Sequence, residues 1–472
     1  MEISELENKL VAVLGFGQEG QATVSYLIKH GIKPVLFDER SWEDRTEIEQ
    51  SEIKKLGINF VFGPEAFLEL KGFDVAFRSP GISLNNLSLA LPSIGEGKLQ
   101  ITSQTKWFFD HCPAKIIGVT GTKGKGTTAS LIFEMLMRNF QFSISNFQTN
   151  PNVEMPNPKA YLTGNIGKTQ PFEILDNLKA DDWVVYELSS FQLQDLQQSP
   201  HIGVVLMTTS EHLDYHKDEN EYVEAKSAIV KYQSAKDTAV INNDFPNSLK
   251  IGALGLGKKI FFSRKAIGKD CFVDQGHIVV KNSDFIFDLA ELGIIGEHNY
   301  ENACAAVLAA RSAGCDDNSI KTVLREFAGL EHRLEFVVEK NGIKFYNDSF
   351  STTPETAIAA IKAFTVPEIL ILGGSSKNSD FAELAETVSQ VRNLKTIILI
   401  GEESKRIKDL IKEKFTGKLL EGAQNFEQVF EQIKSCAQSG DTVVLSPACA
   451  SFDWFENYKQ RGLKFKELAN KF

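Results

Sequence analysis

Residues 119–128 read VTGTKGKGTT, a loop of glycine, threonine and lysine set between the apolar pair Ile116, Ile117 and an apolar stretch at 129–136. A strand that runs into such a loop and then into a helix turns successive backbone N–H groups, and the positive end of the helix, toward one concave spot. That is an anion site. Lys125 stands where it can reach the outer phosphates of a nucleotide, so the expected ligand is ATP or a relative. The pattern departs from the standard P-loop twice: Val119 occupies the place of the first glycine, and Gly126 the place of the hydroxyl after the lysine. Thr127 is then the expected hydroxyl, with Gly121, Thr122, Lys123, Gly124, Gly126 and Thr128 completing the phosphate wall.

A chain of 472 residues exceeds what one hydrophobic core organises, and its length corresponds to about three domains. Boundaries are expected at 1–110, 111–331 and 332–472. The apolar fraction of 42% and charged fraction of 24% are those of a soluble globular protein. The start, MEISELENK, carries acids where a secretory signal carries basic residues, and no apolar run is long enough to cross a bilayer. Cytoplasmic location, no membrane insertion and a monomer are the expectations. Six scattered cysteines lack the paired spacing of a zinc site and are expected to be packing thiols. A net charge of −11 disfavours a nucleic-acid binder and points to a metabolite as partner.

An apolar segment at 9–15 runs into GFGQEG at 15–20, then a helix-like stretch to His30, then a strand at 34–37 ending in Asp38. This is a βαβ unit. Gly15, Gly17 and Gly20 allow a tight turn and close approach of a diphosphate, while Asp38 can accept from a ribose or base. Nicotinamide dehydrogenases carry the same signature, but nothing downstream resembles a hydride-transfer site, and a uridine diphosphate is weighed above that cofactor. Ser79 and Gly81, in RSPG at 78–81, make a second tight loop near the same edge.

Strand-like segments at 115–119, 183–187, 202–207 and 238–242 alternate with polar or helical stretches, which argues a mostly parallel sheet. Beyond His332 the alternation restarts, with strands at 368–373, 395–401 and 442–446 and amphipathic helices at 381–391 and 426–436. The fold class is α/β, with short linkers that permit domain closure. Glu187 ends a strand, where a hard carboxylate oxygen suits magnesium beside phosphate; a solvated strand-end acid is the alternative. SEHLDYH at 210–216 places two histidines and two acids together and reads equally as a metal or phosphate contact and as a polar turn. Lys226 alone reads as a solvated helix lysine.

TGTKGKGTT at 120–128, GNIG at 164–167, ELSSFQL at 187–193, EHLDYH at 211–216, GEHNYEN at 296–302, EHRLE at 331–335 and NDS at 347–349 together resemble the Mur ligase family, in order and in spacing. Within it, LGGSSK at 372–377 and LSPACASFDWFENYKQRG at 445–462 are similar to the members that add glutamate to UDP-N-acetylmuramoyl-L-alanine. The resemblance implies an N-terminal Rossmann-like uridine-nucleotide domain, a central P-loop ATPase-like domain and a C-terminal Rossmann-like domain that receives glutamate. It also implies the chemistry: ATP phosphorylates the acceptor carboxylate, and the amino group of glutamate attacks the acyl phosphate.

Carried over residue by residue, Lys125, His212 and Lys226 take catalytic roles, and Asn299, Arg333 and Asp348 join the loop in holding ATP, with His298 close by. Thr127 and Glu187 would ligate one magnesium ion. A second would sit near His212 and a carbamylated Lys226. Gly15, Gly17, Gly20, Asp38, Ser79 and Gly81 would receive the uridine diphosphate, Asn165 and Ser189 the muramoyl and alanyl groups, and Thr352, Lys377, Ser451 and Phe452 the glutamate.

The chain departs from the family pattern at Gly126, at Met207 (often asparagine), and at Phe350 and Tyr458, where the well-studied glutamate ligases have lysine and phenylalanine. D- and L-glutamate both remain open as substrate. Other Mur ligases, folylpolyglutamate synthase and a non-catalytic nucleotide sensor are the competing readings. The first 110 residues and the SPACAS segment speak against the synthase, and Lys125, Glu187 and His212 against the sensor.

Overall fold

The computed structural model describes residues 1–84, 87, 99–147, 158–166, 169–209, 215–376 and 379–472. They form three β-sheets flanked by helices. The first sheet contains β1 (Val11–Leu14), β2 (Val35–Asp38), β3 (Phe60–Phe62), β4 (Val75–Arg78) and β5 (Gln100–Ser103), all parallel, in the order β3-β2-β1-β4-β5. β1 and β4 are buried at every position, as strands covered on both faces must be, which is why they read as apolar runs without alternation. The chain winds outward on one side of β1 and then returns to the other, so the switch point lies between β1 and β4.

The second sheet contains β6 (Lys115–Thr120), β7 (Ala160–Gly164), β8 (Trp183–Glu187), β9 (Ile202–Val205), β10 (Thr238–Asn242), β11 (Lys258–Ser263), β12 (Cys271–Asp274), β13 (His277–Val280) and β14 (Ile286–Asp288). Its order is β14-β13-β12-β11-β10-β9-β6-β8-β7. Pairing is parallel from β7 across to β12 and antiparallel between β12 and β13, an edge that sequence reasoning did not anticipate. β6, the strand before the phosphate loop, is central and buried along five of its six residues.

By compactness the chain divides into two units. One comprises Met1–Phe287 with Glu301–Val323, and the other Asp288–Tyr300 with Leu324–Phe472. The first unit joins the first sheet to the second because one apolar core runs through both: Val11, Val13 and Leu27 belong to the same buried cluster as Ile116, Val184, Val205 and Ile241. Tyr26, on the helix Gln18–Lys29, stacks on Phe172 at 4.2 Å between ring centroids.

The second unit holds the third sheet: β15 (Glu335–Lys340), β16 (Ile343–Asn347), β17 (Glu368–Gly373), β18 (Leu394–Ile400), β19 (Lys418–Leu420) and β20 (Thr442–Leu445), in the order β15-β16-β20-β17-β18-β19. β15 and β16 form an antiparallel hairpin and the remaining pairs are parallel. The helix Phe426–Cys436 buries Phe426, Val429, Phe430 and Ile433, one face at helical spacing, and Asn425 caps it by accepting from the Gln428 N–H. Among the described residues no helix is long and apolar enough to cross a membrane. All six cysteines are free thiols, and burial pushes those of Cys315 and Cys449 up to about 12.

Candidate functional site

β6 delivers the loop between β8 and β9, and the helix Lys125–Phe147 starts on its lysine. Gly121 and Gly124 have φ of +154° and +86°, values that side chains other than glycine rarely adopt. A Cβ on Gly124 would also lie 2.2 Å from Asn302 Oδ1, the atom to which Thr128 Oγ1 donates. The Thr122 N–H donates to the Met207 carbonyl (2.7 Å), so position 207 steadies the loop through its backbone, whatever its side chain. Thr122 Oγ1 accepts from the Thr209 N–H and lies 3.0 Å from the Tyr222 hydroxyl. Lys125 Nζ donates to the Gly121 and Thr122 carbonyls, both at 3.1 Å, folding the lysine over its own loop. Thr127 is half-buried in the first helical turn.

Glu187 closes β8 directly beside β6, opposite Val119, and is buried, not the solvated acid of the alternative reading. On its other flank Gly164 (φ +91°) must be glycine, because a Cβ there would meet the Glu187 carbonyl at 2.2 Å. Asn165 follows, its N–H 3.4 Å from the same carbonyl. Lys226 contradicts the simple helix-surface expectation. Its residue is 1% exposed, and Nζ lies 3.3 Å from Thr120 Oγ1, 3.1 Å from the Gly121 carbonyl and 4.7 Å from the Tyr222 ring centre. The helix Glu219–Lys231 thus turns this lysine inward against the start of the phosphate loop. His212, with Glu211 and Asp214, lies outside the described residues. His216, further along the same motif, is buried with Nε2 2.9 Å from Ser190 Oγ.

In the first sheet, Gly15 (φ +88°) makes the turn after β1, and Gly20 allows the helix to close on it, since a Cβ would sit 1.9 Å from the Gly15 carbonyl oxygen. Gly17 and Gly81 face open space. Ser79 Oγ donates to the Gly15 carbonyl, which brings the loops after β1 and β4 side by side at the switch point. Asp38 holds this loop itself: it accepts from the Phe16 N–H (2.8 Å) and the Arg40 N–H (2.9 Å) and pairs with buried Arg45 (2.9 Å).

Sequence reasoning missed a polar seam beside these loops. Ser189 caps the helix Ser190–Leu193 and donates to Gln192 Oε1, and Gln192 Nε2 donates to Glu19 Oε1 at 2.7 Å. Burial pushes the Glu19 carboxyl up to about 7, against the opposing effects of Gln192 and Arg78. Arg78, with no exposed side-chain surface, pairs with Asp195 at 3.0 Å and donates to the Ile82 and Phe191 carbonyls. Glu19 stood inside the glycine motif, yet its partner is 173 positions away.

In the second unit Asp348 follows β16 and is caged by the Ser446 hydroxyl (2.7 Å) and the Leu334 N–H (3.1 Å), and burial raises its carboxyl to about 7. Asn299 Nδ2 donates to the Ile295 carbonyl, and the ring of neighbouring His298 packs on Gly296. The Arg333 guanidinium lies 3.9 Å over the Phe350 ring. Ser451 is buried, Thr352 half-buried and Phe452 71% exposed, its N–H held by Ser375 Oγ at 3.0 Å. Lys377 lies outside the described residues. Arg461, unassigned from the sequence, is buried and donates to Ser349 Oγ and to the Ser349, Cys449 and Ala450 carbonyls, tying the NDS loop to the SPACAS loop.

Family sequence models match in chain order. The N-terminal domain of MurD-like Mur ligases covers residues 9–94, the Mur ligase middle domain 119–310, and the Mur ligase glutamate ligase domain 332–449. The UDP-N-acetylmuramoylalanine–D-glutamate ligase of Clostridium perfringens is 35% identical over 470 residues, covering 98% of this chain and 97% of the relative. Among solved structures, the UDP-N-acetylmuramate–alanine ligase MurC of Thermotoga maritima superposes with a TM-score of 0.58 at 16% identity, covering 98% of this chain and all of that one. The MurF ligase of Thermotoga maritima in complex with ADP gives 0.56 at 16%, covering 100% and 97%. With this similarity running through all three sheets and both candidate loops, the chain belongs to the Mur ligase family.

Proposed function

We propose that the chain joins the amino group of D-glutamate to the carboxylate of UDP-N-acetylmuramoyl-L-alanine, converting ATP to ADP and phosphate in peptidoglycan synthesis. The observation that carries this reading is the convergence of Lys125, Thr127, Glu187 and Lys226 on one phosphate loop, in a chain whose relatives over full length bear that name. A carboxylate is a poor electrophile at neutral pH. Transfer of the γ-phosphoryl group to its oxygen gives an acyl phosphate, the glutamate amine adds to the carbonyl, and phosphate leaves as the amide forms.

In this reading Lys125 and the amides of 121–128 hold the transferring group, Asp348 accepts from the ribose, Asn299 contacts the nucleotide, and Arg333 stabilises charge on the γ-phosphate. The loops after β1 and β4 receive the uridine diphosphate; Asn165 and Ser189 meet the muramoyl and alanyl groups; and Thr352, Lys377, Ser451 and Phe452 bind glutamate. A buried carboxylate that ends the strand next to the one leading into the phosphate loop suits a hard cation, so Glu187, together with the Thr127 hydroxyl, would hold magnesium. When bound, it offsets the charge of the phosphates. Lys226 and His212 would hold a second ion, Lys226 once carbamylated by addition of carbon dioxide to its amine with loss of a proton. Intact-mass analysis of gently prepared protein tests that modification: a plain amine under saturating bicarbonate rejects it. Use of ATP and a nucleotide-linked acceptor favours a cytoplasmic reaction.

The decisive assay supplies magnesium ATP, the acceptor and each glutamate enantiomer, and follows phosphate release and product mass. Label in the acceptor carboxyl oxygen should appear in the released phosphate. Release without label rules out the acyl phosphate, and turnover with L-glutamate alone overturns the choice of enantiomer.

A further inference from the structure

Arg333 is presented by an unusually constrained loop. The residues on either side of it, His332 and Leu334, have φ of +66° and +42°, in the left-handed region that residues with side chains rarely adopt. Both are held there. The His332 N–H donates to Glu335 Oε2 (2.9 Å), its carbonyl accepts from the Phe350 N–H (3.0 Å), and its ring meets Asn347 Nδ2 at 2.8 Å. The Leu334 N–H is fixed by Asp348 and the Arg333 N–H by the Leu330 carbonyl. Gly462 lets the helix Tyr458–Asn470 close on this loop, because a Cβ there would strike the His332 ring at 2.3 Å. Tyr458 then places its ring edge-on to Phe350, centroids 4.9 Å apart at 88°, and Phe350 turns its face to the Arg333 guanidinium at 3.9 Å.

We propose that Phe350, backed by Tyr458, is a positioning residue that orients the Arg333 guanidinium for the nucleotide phosphate. The inference rests on the phosphate-directed role given to Arg333 above. Stacking engages the face of a guanidinium and none of its five N–H donors, so the fork can still take a phosphate while the torsional freedom of a long exposed side chain is reduced. Phe350 is 36% exposed, a place where an apolar shelf contributes little to the core, so its contribution is to the arginine.

The test is a double-mutant cycle in the full-length protein, with Phe350→Leu, Arg333→Ala and the pair, plus Phe350→Tyr as rescue. Phe350→Leu should lower kcat/KM for ATP about two- to fivefold and leave KM for the uridine acceptor alone. Phe350→Tyr should restore it, and in the Arg333→Ala background Phe350→Leu should have no further effect. The Arg333 Nε–H resonance, shifted by the ring current, should move in Phe350→Leu independently of activity. Equal losses from Phe350→Leu in both backgrounds, an unmoved resonance, or no loss beside an impaired Arg333→Ala overturns the positioning role and leaves that of Arg333 standing. An Arg333→Ala enzyme with unchanged ATP kinetics overturns both.

Discussion

Glu368 opens β17 with no exposed surface, and neither carboxylate oxygen has a hydrogen-bond partner among the described residues. Burial pushes its carboxyl up from 4.5 to about 8, so the folded chain binds this proton more tightly than the unfolded one. The stabilisation is fully present below about 4.5 and is lost as pH rises through about 8. Glu368→Gln should therefore match the parent at pH 5 and exceed its stability at pH 9 by roughly 1–3 kcal/mol, read as a higher melting temperature. Equal melting shifts at both pH values would contradict this. Asp348 differs because it has partners and a proposed task. With its carboxyl raised to about 7 by burial, it gains charge between pH 6 and 8, and KM for ATP should fall across that range. Asp348→Asn should weaken ATP binding and flatten the dependence; an unchanged slope would remove Asp348 from the ribose.

How an element docks is decided by contacts as close as that between Gly20 and the Gly15 carbonyl. Gly20→Ala forces the helix Gln18–Lys29 away from β1, with an expected loss of about 1–3 kcal/mol and a larger rise in KM for the uridine acceptor than for ATP. Equal rises would show that the helix does not serve the diphosphate. Gly20 was readable in the sequence because the turn, the approach and the helix start all demand glycine at fixed spacing. The same holds for β10, β17 and the helix Phe426–Cys436, whose apolar runs or helical periodicity are strong and whose observed bounds match those expected. Short strands were not readable: β3 and β19 have three residues each, too few to establish a period. The hairpin of β15 and β16 was missed because β15, half-exposed, shows no clean alternation. Among the candidate residues, Lys125 and Glu187 came from local motifs and Asp348 from the family resemblance, whereas Arg78, Asp195, Gln192 and Arg461 act through partners about a hundred or more positions away or through backbone carbonyls, which leave no local pattern.

Across the whole molecule, the first two sheets behave as a single unit because an apolar core and a buried ion pair cross between them. Arg78, at the end of β4, is fully buried and pairs with Asp195, which lies beyond β8 in the second sheet's segment. Tyr215 reinforces the link by donating to the Pro80 carbonyl at 2.9 Å, so the loop after β4 is held from two sides. Taking two charges out of water costs several kcal/mol each, and removing one partner leaves the other uncompensated. Asp195→Ala should then cost roughly 3–5 kcal/mol, well above the value of an exposed pair, and the loss should reach both sheets together. Scanning calorimetry is the measurement, with one transition of the first unit moving down as a whole while that of the second unit stays in place. Replacing both partners by apolar residues, Arg78→Met with Asp195→Leu, should recover most of the loss, since the unpaired guanidinium and not the missing attraction dominates it. Separate transitions for the two sheets would show that they do not unfold as one unit, an unchanged transition in Asp195→Ala would show that the ion pair contributes nothing to the seam, and a double variant no better than Asp195→Ala would show that the unpaired guanidinium is not the source of the loss.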